Sequence, residues 1–258
     1  QILSENIQKF GHEDVVVTNN YPRDYRKARI MFDAILADVP CSGEGMFRKD
    51  EGAIAEWSRQ NVDNCWRLQR EIVSDIWSCL RPGGLLIYST CTFNAHEDEE
   101  NVEWIASELG ADILSLPVEA EWGITPAVVG DIPAYRFLPG VSRSEGLFLA
   151  VLRKHGDADE APVKEDNRKA QRRGRGEKAA VVKTPDVQLV SPSDYAVRQG
   201  ASDTLLAVPT RWADVYDKAA ASLKVMHAGV QLGTVKGKDV VPSQSLALSR
   251  QLDRSAFS

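Results

Sequence analysis

No stretch of these 258 residues approaches the roughly 18 consecutive apolar positions of a membrane span. Gln1-Ile2-Leu3-Ser4 lacks the basic-then-apolar order of a signal peptide. The four cysteines, at 41, 65, 79 and 91, form no C-x-x-C pair and no zinc spacing, and His96 and His227 have no partner at metal-ligand spacing. Neither a bound metal nor a disulfide framework is expected, and a reducing cytoplasm is the natural setting. Basic charge is not in excess either: 31 Lys and Arg face 37 Asp and Glu, a net charge of −6, which argues against a general nucleic-acid binder. A G-x-G-x-x-G phosphate loop is also missing. Gly43 and Gly45 sit beside a cysteine, Gly83-Gly84 reads as a helix-to-strand turn, and Gly174 and Gly176 lie in a basic stretch.

What the chain does have is 43% hydrophobic residues, enough for a real core in one large or two modest domains. It also has two cysteines at the ends of apolar runs: Ile35-Leu36-Ala37-Asp38-Val39-Pro40-Cys41-Ser42-Gly43-Glu44-Gly45, and Leu85-Leu86-Ile87-Tyr88-Ser89-Thr90-Cys91-Thr92-Phe93. Strand ends of open α/β sheets are where such folds present their chemistry. A thiolate that adds to C6 of cytosine makes C5 enamine-like and nucleophilic, dividing one hard methylation into easier steps. An acid must meet the ring nitrogen as electron density arrives, and Asp38 stands three residues before Cys41. A second polarizable group would help the thiol leave.

These two segments resemble the signature motifs of the RNA cytosine-5 methyltransferases of the Nol1/Nop2/Sun type, and in particular their bacterial 16S ribosomal RNA branch. Met46-Phe47-Arg48-Lys49-Asp50, Leu68-Gln69, Arg81-Pro82-Gly83-Gly84, Arg136-Phe137-Leu138-Pro139-Gly140 and Glu145-Gly146-Leu147-Phe148 extend the likeness over roughly residues 1 to 155. The resemblance implies Cys91 as nucleophile and Cys41 as the group assisting product release. It implies Asp38 facing both the cytosine and S-adenosyl-L-methionine, with Asn20 standing where the family usually has an acid that contacts the adenine. It also implies an α/β fold with a Rossmann-like S-adenosylmethionine-dependent methyltransferase sheet that is incomplete at its N-terminus, because the family's glycine-rich cofactor loop and acidic ribose ligand have no counterpart here. On that expectation Val15-Val16-Val17 is left as an unpaired edge strand, and the isolated chain binds S-adenosylmethionine weakly or not at all.

The organisation expected is a partial catalytic domain over 1–154, a charged linker over 155–184, and a small α+β region over 185–258. That last region resembles the start of a PUA-like RNA-binding extension from Leu223 to Ser243. Within the linker, Lys164 to Lys178 holds seven basic residues against three acids, which reads as an RNA tether or as a solvated, disordered run. Strands are expected at Val15–Thr18, at Phe32–Asp38 as a buried one, at Leu85–Ser89, near Tyr135–Leu138 and near Leu147–Leu152. Further strands are expected at Val187–Val190, Leu205–Val208, Lys224–His227 and Val230–Leu232, with a helix over 211–222. Leu68, Ile72, Ile76 and Leu80 predict the inner face of a helix over 63–80. Asn94 and Glu97 have capping-box spacing, opening a helix through Leu109 whose acids 97–100 suit the positive end of the macrodipole.

Each assignment has a structural competitor. Cysteine is often simply buried, which is the reading adopted for Cys65 and Cys79. Asp38 and Asn20 fit turn chemistry, and Trp57, Trp66, Trp77 and Trp104 fit packing better than base stacking. The functional expectation is a methyltransferase acting on RNA, ribosomal by the resemblance, with no membrane and no metal. The alternative is a non-catalytic RNA-binding or ribosome-assembly protein on the same scaffold. A DNA cytosine methyltransferase would place its nucleophile in the Pro-Cys motif and would have no Thr-Cys-Thr segment, and an exocyclic-amine enzyme would need an Asn/Asp-Pro-Pro-aromatic turn.

Overall fold

The structure is a computed structural model, and it describes residues 2–157, 189–237 and 239–257. Nearly all of the expected linker, including Lys164 to Lys178, lies outside those residues, as do Val187 and Gln188.

In chain order the first elements are α1 (Ile2–Phe10), β1 (Val16–Thr18), α2 (Tyr25–Ala28), β2 (Phe32–Asp38), α3 (Glu51–Glu56), α4 (Arg59–Trp77), β3 (Leu80–Thr90), α5 (Glu99–Leu109), β4 (Ala111–Leu114), β5 (Tyr135–Phe137) and β6 (Leu147–Lys154). After the undescribed segment come β7 (Tyr195–Gln199), β8 (Thr204–Pro209), α6 (Ala213–Ser222), β9 (Val225–Ala228), β10 (Val230–Lys236), β11 (Asp239–Pro242) and α7 (Gln244–Leu248). The chain divides into two compact units, Met31–Val163 and Gln1–Ile30 together with Lys164–Ser258.

The unit Met31–Val163 is built on a mixed sheet of order β2-β3-β6-β4, with β5 also pairing β6. β2 and β3 run parallel, and β6 runs antiparallel to β3, β4 and β5. A parallel pair needs a crossover, which α3 and α4 supply. Side chains two apart on a strand share a face, so Ile35 and Ala37 of β2, Leu86 and Tyr88 of β3, and Phe148, Ala150 and Leu152 of β6 form one apolar surface. Val73 of α4 and Val102 and Ile105 of α5 close over it. Burying each large member contributes about 1.5–3 kcal/mol.

Two sequence expectations fail in this unit. β2 is not buried on both faces: it is a sheet edge among the described residues, and Leu36, on the face away from the core, is 65% exposed. Of the face predicted for α4, Ile72 and Ile76 do pack against the core, and Leu80 is buried at the start of β3, but Leu68 does not belong to it. Val62, Gln69 and Val73 are the buried residues of α4 and Leu68 is exposed. Hydrophobic periodicity misplaces only the first predicted position, because the neighbouring inward residue is Gln69, whose burial is satisfied by hydrogen bonds. Ser58 caps α4, its side chain accepting from the Asn61 N–H.

In the other unit, β11-β10-β8-β7 form an antiparallel sheet with a core of Leu189, Leu205, Ala207, Val230 and Leu232. This is the expected α+β character, although β7 and β11 were not anticipated from sequence. Val187–Val190 is reduced among the described residues to a bridge between Leu189 and Leu252. The expected unpaired edge is not observed. β1 pairs antiparallel with β9, Val16 opposite Ala228 and Val17 opposite His227, which satisfies backbone groups that an open edge would leave bare.

Candidate active site

β2 and β3 end side by side, with Ala37 opposite Tyr88 and Asp38 opposite Ser89. Because the strands are parallel, the turns carrying Cys41 and Cys91 leave from the same end of the sheet. The two Sγ atoms lie 3.1 Å apart, and both cysteines are free and half-buried. Backbone contacts lock the turns together: the Gly45 N–H donates to the Cys91 carbonyl at 2.8 Å, and the Val39 N–H to the Ser89 carbonyl at 3.1 Å. A Cβ on Gly45 would stand 2.8 Å from the Cys91 carbonyl oxygen, so glycine there is a condition of the approach.

The contact shifts the two thiols in opposite directions. Hydrogen bonding to the Cys91 sulfur, then burial, pushes the Cys41 thiol far up. The hydrogen bond from Cys41 lowers Cys91 to about 7, against burial and the charges of Asp38 and Glu97. The downward shift favours the thiolate at Cys91, the form in which a cysteine acts as nucleophile. Asp38 is exposed, and its Oδ1 accepts from Ser89 Oγ at 3.3 Å. An exposed carboxyl group with acceptor sites to spare, at the carboxyl end of a parallel strand, fits a donor-bearing ligand. Asn20 belongs to the other unit, where its Oδ1 accepts the Lys224 N–H at 2.9 Å and its Nδ2 lies 3.5 Å from Asp24. Cys79 is buried and Cys65 half-buried on α4, consistent with packing.

Behind the cysteines is a buried polar network that sequence reasoning did not assemble. The acids assigned to a helix terminus are not at the surface: Glu97, Asp98 and Glu99 are all at most 1% exposed. α5 starts at Glu99 and not after Asn94, because residues 95–98 form a separate turn. The Asn94–Glu97 spacing does produce a local clasp, since Asn94 Oδ1 accepts the Glu97 N–H at 2.9 Å and Asn94 Nδ2 donates to Glu97 Oε1 at 2.8 Å. Glu97 Oε2 accepts from the Ser42 N–H at 3.0 Å and from Gln69 Nε2 at 2.7 Å. Gln69 Nε2 also donates to the Pro40 carbonyl at 2.9 Å. Glu44 accepts from the Phe93 N–H at 2.8 Å and from Trp57 Nε1 at 3.0 Å.

Arg136 is the buried cation of this network. Its Nε donates to Glu99 Oε1 at 2.9 Å and its Nη1 to the Phe93 carbonyl at 2.9 Å, two residues past Cys91. Asp98 accepts from Thr90 Oγ1 at 2.6 Å. Its other oxygen makes no hydrogen bond, although Arg136 Nη2 is 3.2 Å away. Burial raises the Asp98 carboxyl well above the usual range despite the Thr90 hydrogen bond and Arg136. The visible signals were the Asn94/Glu97 spacing and Arg136 before an apolar strand, but burial of three consecutive acids is a tertiary result.

The site is thus a parallel strand pair with paired thiols at its carboxyl end, on an α/β sheet continued by the antiparallel strand β6. A family described as 16S rRNA methyltransferase RsmB/F matches residues 1–153, and the chain belongs to that family. Among curated relatives, ribosomal RNA small subunit methyltransferase F of Cronobacter sakazakii is 36% identical over 164 residues, covering 63% of this chain and 34% of the relative. The protein of the same name from Serratia proteamaculans is 38% identical over 159 residues, covering 60% and 33%. The chain thus spans about a third of the length of these relatives. A crystal structure of NSun6 from Pyrococcus horikoshii with SFG is similar at 28% identity and a TM-score of 0.46, over 55% of this chain and 34% of that one.

Proposed function

We propose that this chain carries the catalytic cysteines of an enzyme that methylates C5 of a cytosine in ribosomal RNA, with S-adenosyl-L-methionine as donor. The observation that supports it most is the Cys41–Cys91 sulfur pair, 3.1 Å apart, an approach that lowers Cys91 to about 7. In this reading the Cys91 thiolate adds to C6 of a flipped or single-stranded cytosine, while Asp38 holds a proton at the ring nitrogen. Bound S-adenosylmethionine supplies the methyl group. As the C5 proton passes to water, the Cys41 S–H stabilises the departing Cys91 thiolate, so one hydrogen bond serves both attack and release. Asp38 also faces the cofactor. The family resemblance assigns the adenine contact to Asn20, whose carboxamide oxygen accepts the Lys224 N–H. The region from 185 onward contributes a PUA-like RNA contact, 1–154 the catalytic domain and 155–184 the linker, all in the cytoplasm.

The test uses the complete gene product that contains this chain, with labelled S-adenosylmethionine and ribosomal RNA. Cys91→Ala should abolish methyl transfer, and Cys41→Ala should accumulate a covalent RNA–protein adduct visible on a denaturing gel. RNA binding without transfer by any form would instead favour a ribosome-assembly role.

A further inference from the structure

Both neighbours of Cys41 are gripped from one place. The Pro40 carbonyl accepts from Gln69 Nε2, and the Ser42 N–H donates to Glu97 Oε2. The same Gln69 nitrogen donates to the same Glu97 oxygen at 2.7 Å. Glu97 is six residues past Cys91 and clasped to Asn94 of the same turn, while Gln69 is anchored on α4 and accepts through Oε1 from Tyr88 and Asn101. The Glu97 carboxylate acts as an acceptor throughout, toward Ser42, Gln69 and Asn94. With Gln69 and Glu97 both 0% exposed, these groups have no water to turn to.

We propose that Glu97, with Gln69, is a positioning residue that holds the Cys41 sulfur against that of Cys91. This rests on the two-cysteine reading above, but it concerns the thiol pair alone.

A clamp and a simple charge shift Cys91 in opposite directions. Negative charge at Glu97 disfavours the Cys91 thiolate, opposing the dominant effect of the Cys41 hydrogen bond. If Glu97 acted only as a nearby charge, Glu97→Gln would make Cys91 more acidic. If it acts as a clamp, the variant places an amide NH2 among donors, frees the Ser42 side of the Cys41 turn, weakens the sulfur–sulfur hydrogen bond and makes Cys91 less acidic.

The experiment is iodoacetamide alkylation of the whole chain across pH, with Cys91 followed by peptide mass spectrometry and folding followed by circular dichroism. In the parent the midpoint should lie at about 7. Glu97→Gln should move it up by about one pH unit, alkylating Cys91 roughly fivefold more slowly at pH 7. In a Cys41→Ala background the same substitution should give no upward move, because the clamp then has nothing to hold. Gln69→Met, which removes the donor to Pro40, should reproduce the upward move and decides the matter if Glu97→Gln does not fold. An unchanged or lowered midpoint in a folded variant that retains Cys41 overturns the proposal, as does an equal upward shift without Cys41. Neither RNA nor S-adenosylmethionine is added to the reaction, so failure of methyl transfer would leave this result standing.

Discussion

Asp98 sits between Thr90, which donates to it, and Arg136, which is already engaged by Glu99. Three buried carboxyl groups with one buried arginine are not all easily ionised, and Asp98 is the one whose burial raises it well above its ordinary 3.8. A group raised on folding contributes stability fully below its unfolded value and loses that contribution as pH rises through its folded value. The loss runs at up to about 1.4 kcal/mol per pH unit between the two. Asp98→Asn keeps an acceptor for Thr90 and has no proton to lose. Its melting temperature relative to the parent should therefore climb as pH is raised from 4 toward 8. A difference that stays flat with pH would mean that Asp98 is ionised throughout.

Among the elements, the turn after β2 and the turn after β3 behave as one piece. Gly45 touches the Cys91 carbonyl, and Gly146, at φ +120°, leaves room for the Phe93 ring, which a Cβ would meet at 2.6 Å. Gly45→Ala should cost about 1–3 kcal/mol as an overpacking change, seen as a lower melting temperature. By pushing the turns apart it should also slow alkylation of Cys91 at pH 7. An alanine variant as stable and as reactive as the parent would show that the turns tolerate separation. β2, β3, α4 and β6 were legible from sequence because apolar runs and turn residues are local signals. The inward position of Gln69 on α4 was not, because its partners come from β3, α5 and the Cys41 turn.

For the molecule as a whole, net charge and proposed substrate pull in opposite directions: a chain of charge −6 is proposed to meet RNA. The seven basic residues between Lys164 and Lys178 are its densest positive run in sequence. Deleting 164–178 should weaken RNA binding and flatten its salt dependence, by about 0.7 in log–log slope for each phosphate of single-stranded RNA that is no longer neutralised. Filter binding between low and high salt would measure this, and an unchanged slope would leave the run as a spacer.

The sequence by itself determined the α/β character and family of this chain and the identity of its candidate site residues. Those are carried by short contiguous patterns, an apolar run ending in Asp38-Val39-Pro40-Cys41 and another ending in Ser89-Thr90-Cys91. Only the tertiary structure decided that β1 pairs with β9, that Glu97, Asp98 and Glu99 are buried with Arg136, and that the sulfurs of Cys41 and Cys91 meet. Each of these depends on groups far apart in sequence meeting where water is excluded. There, hydrogen bonds and charges that would be screened at the surface set the protonation of their neighbours.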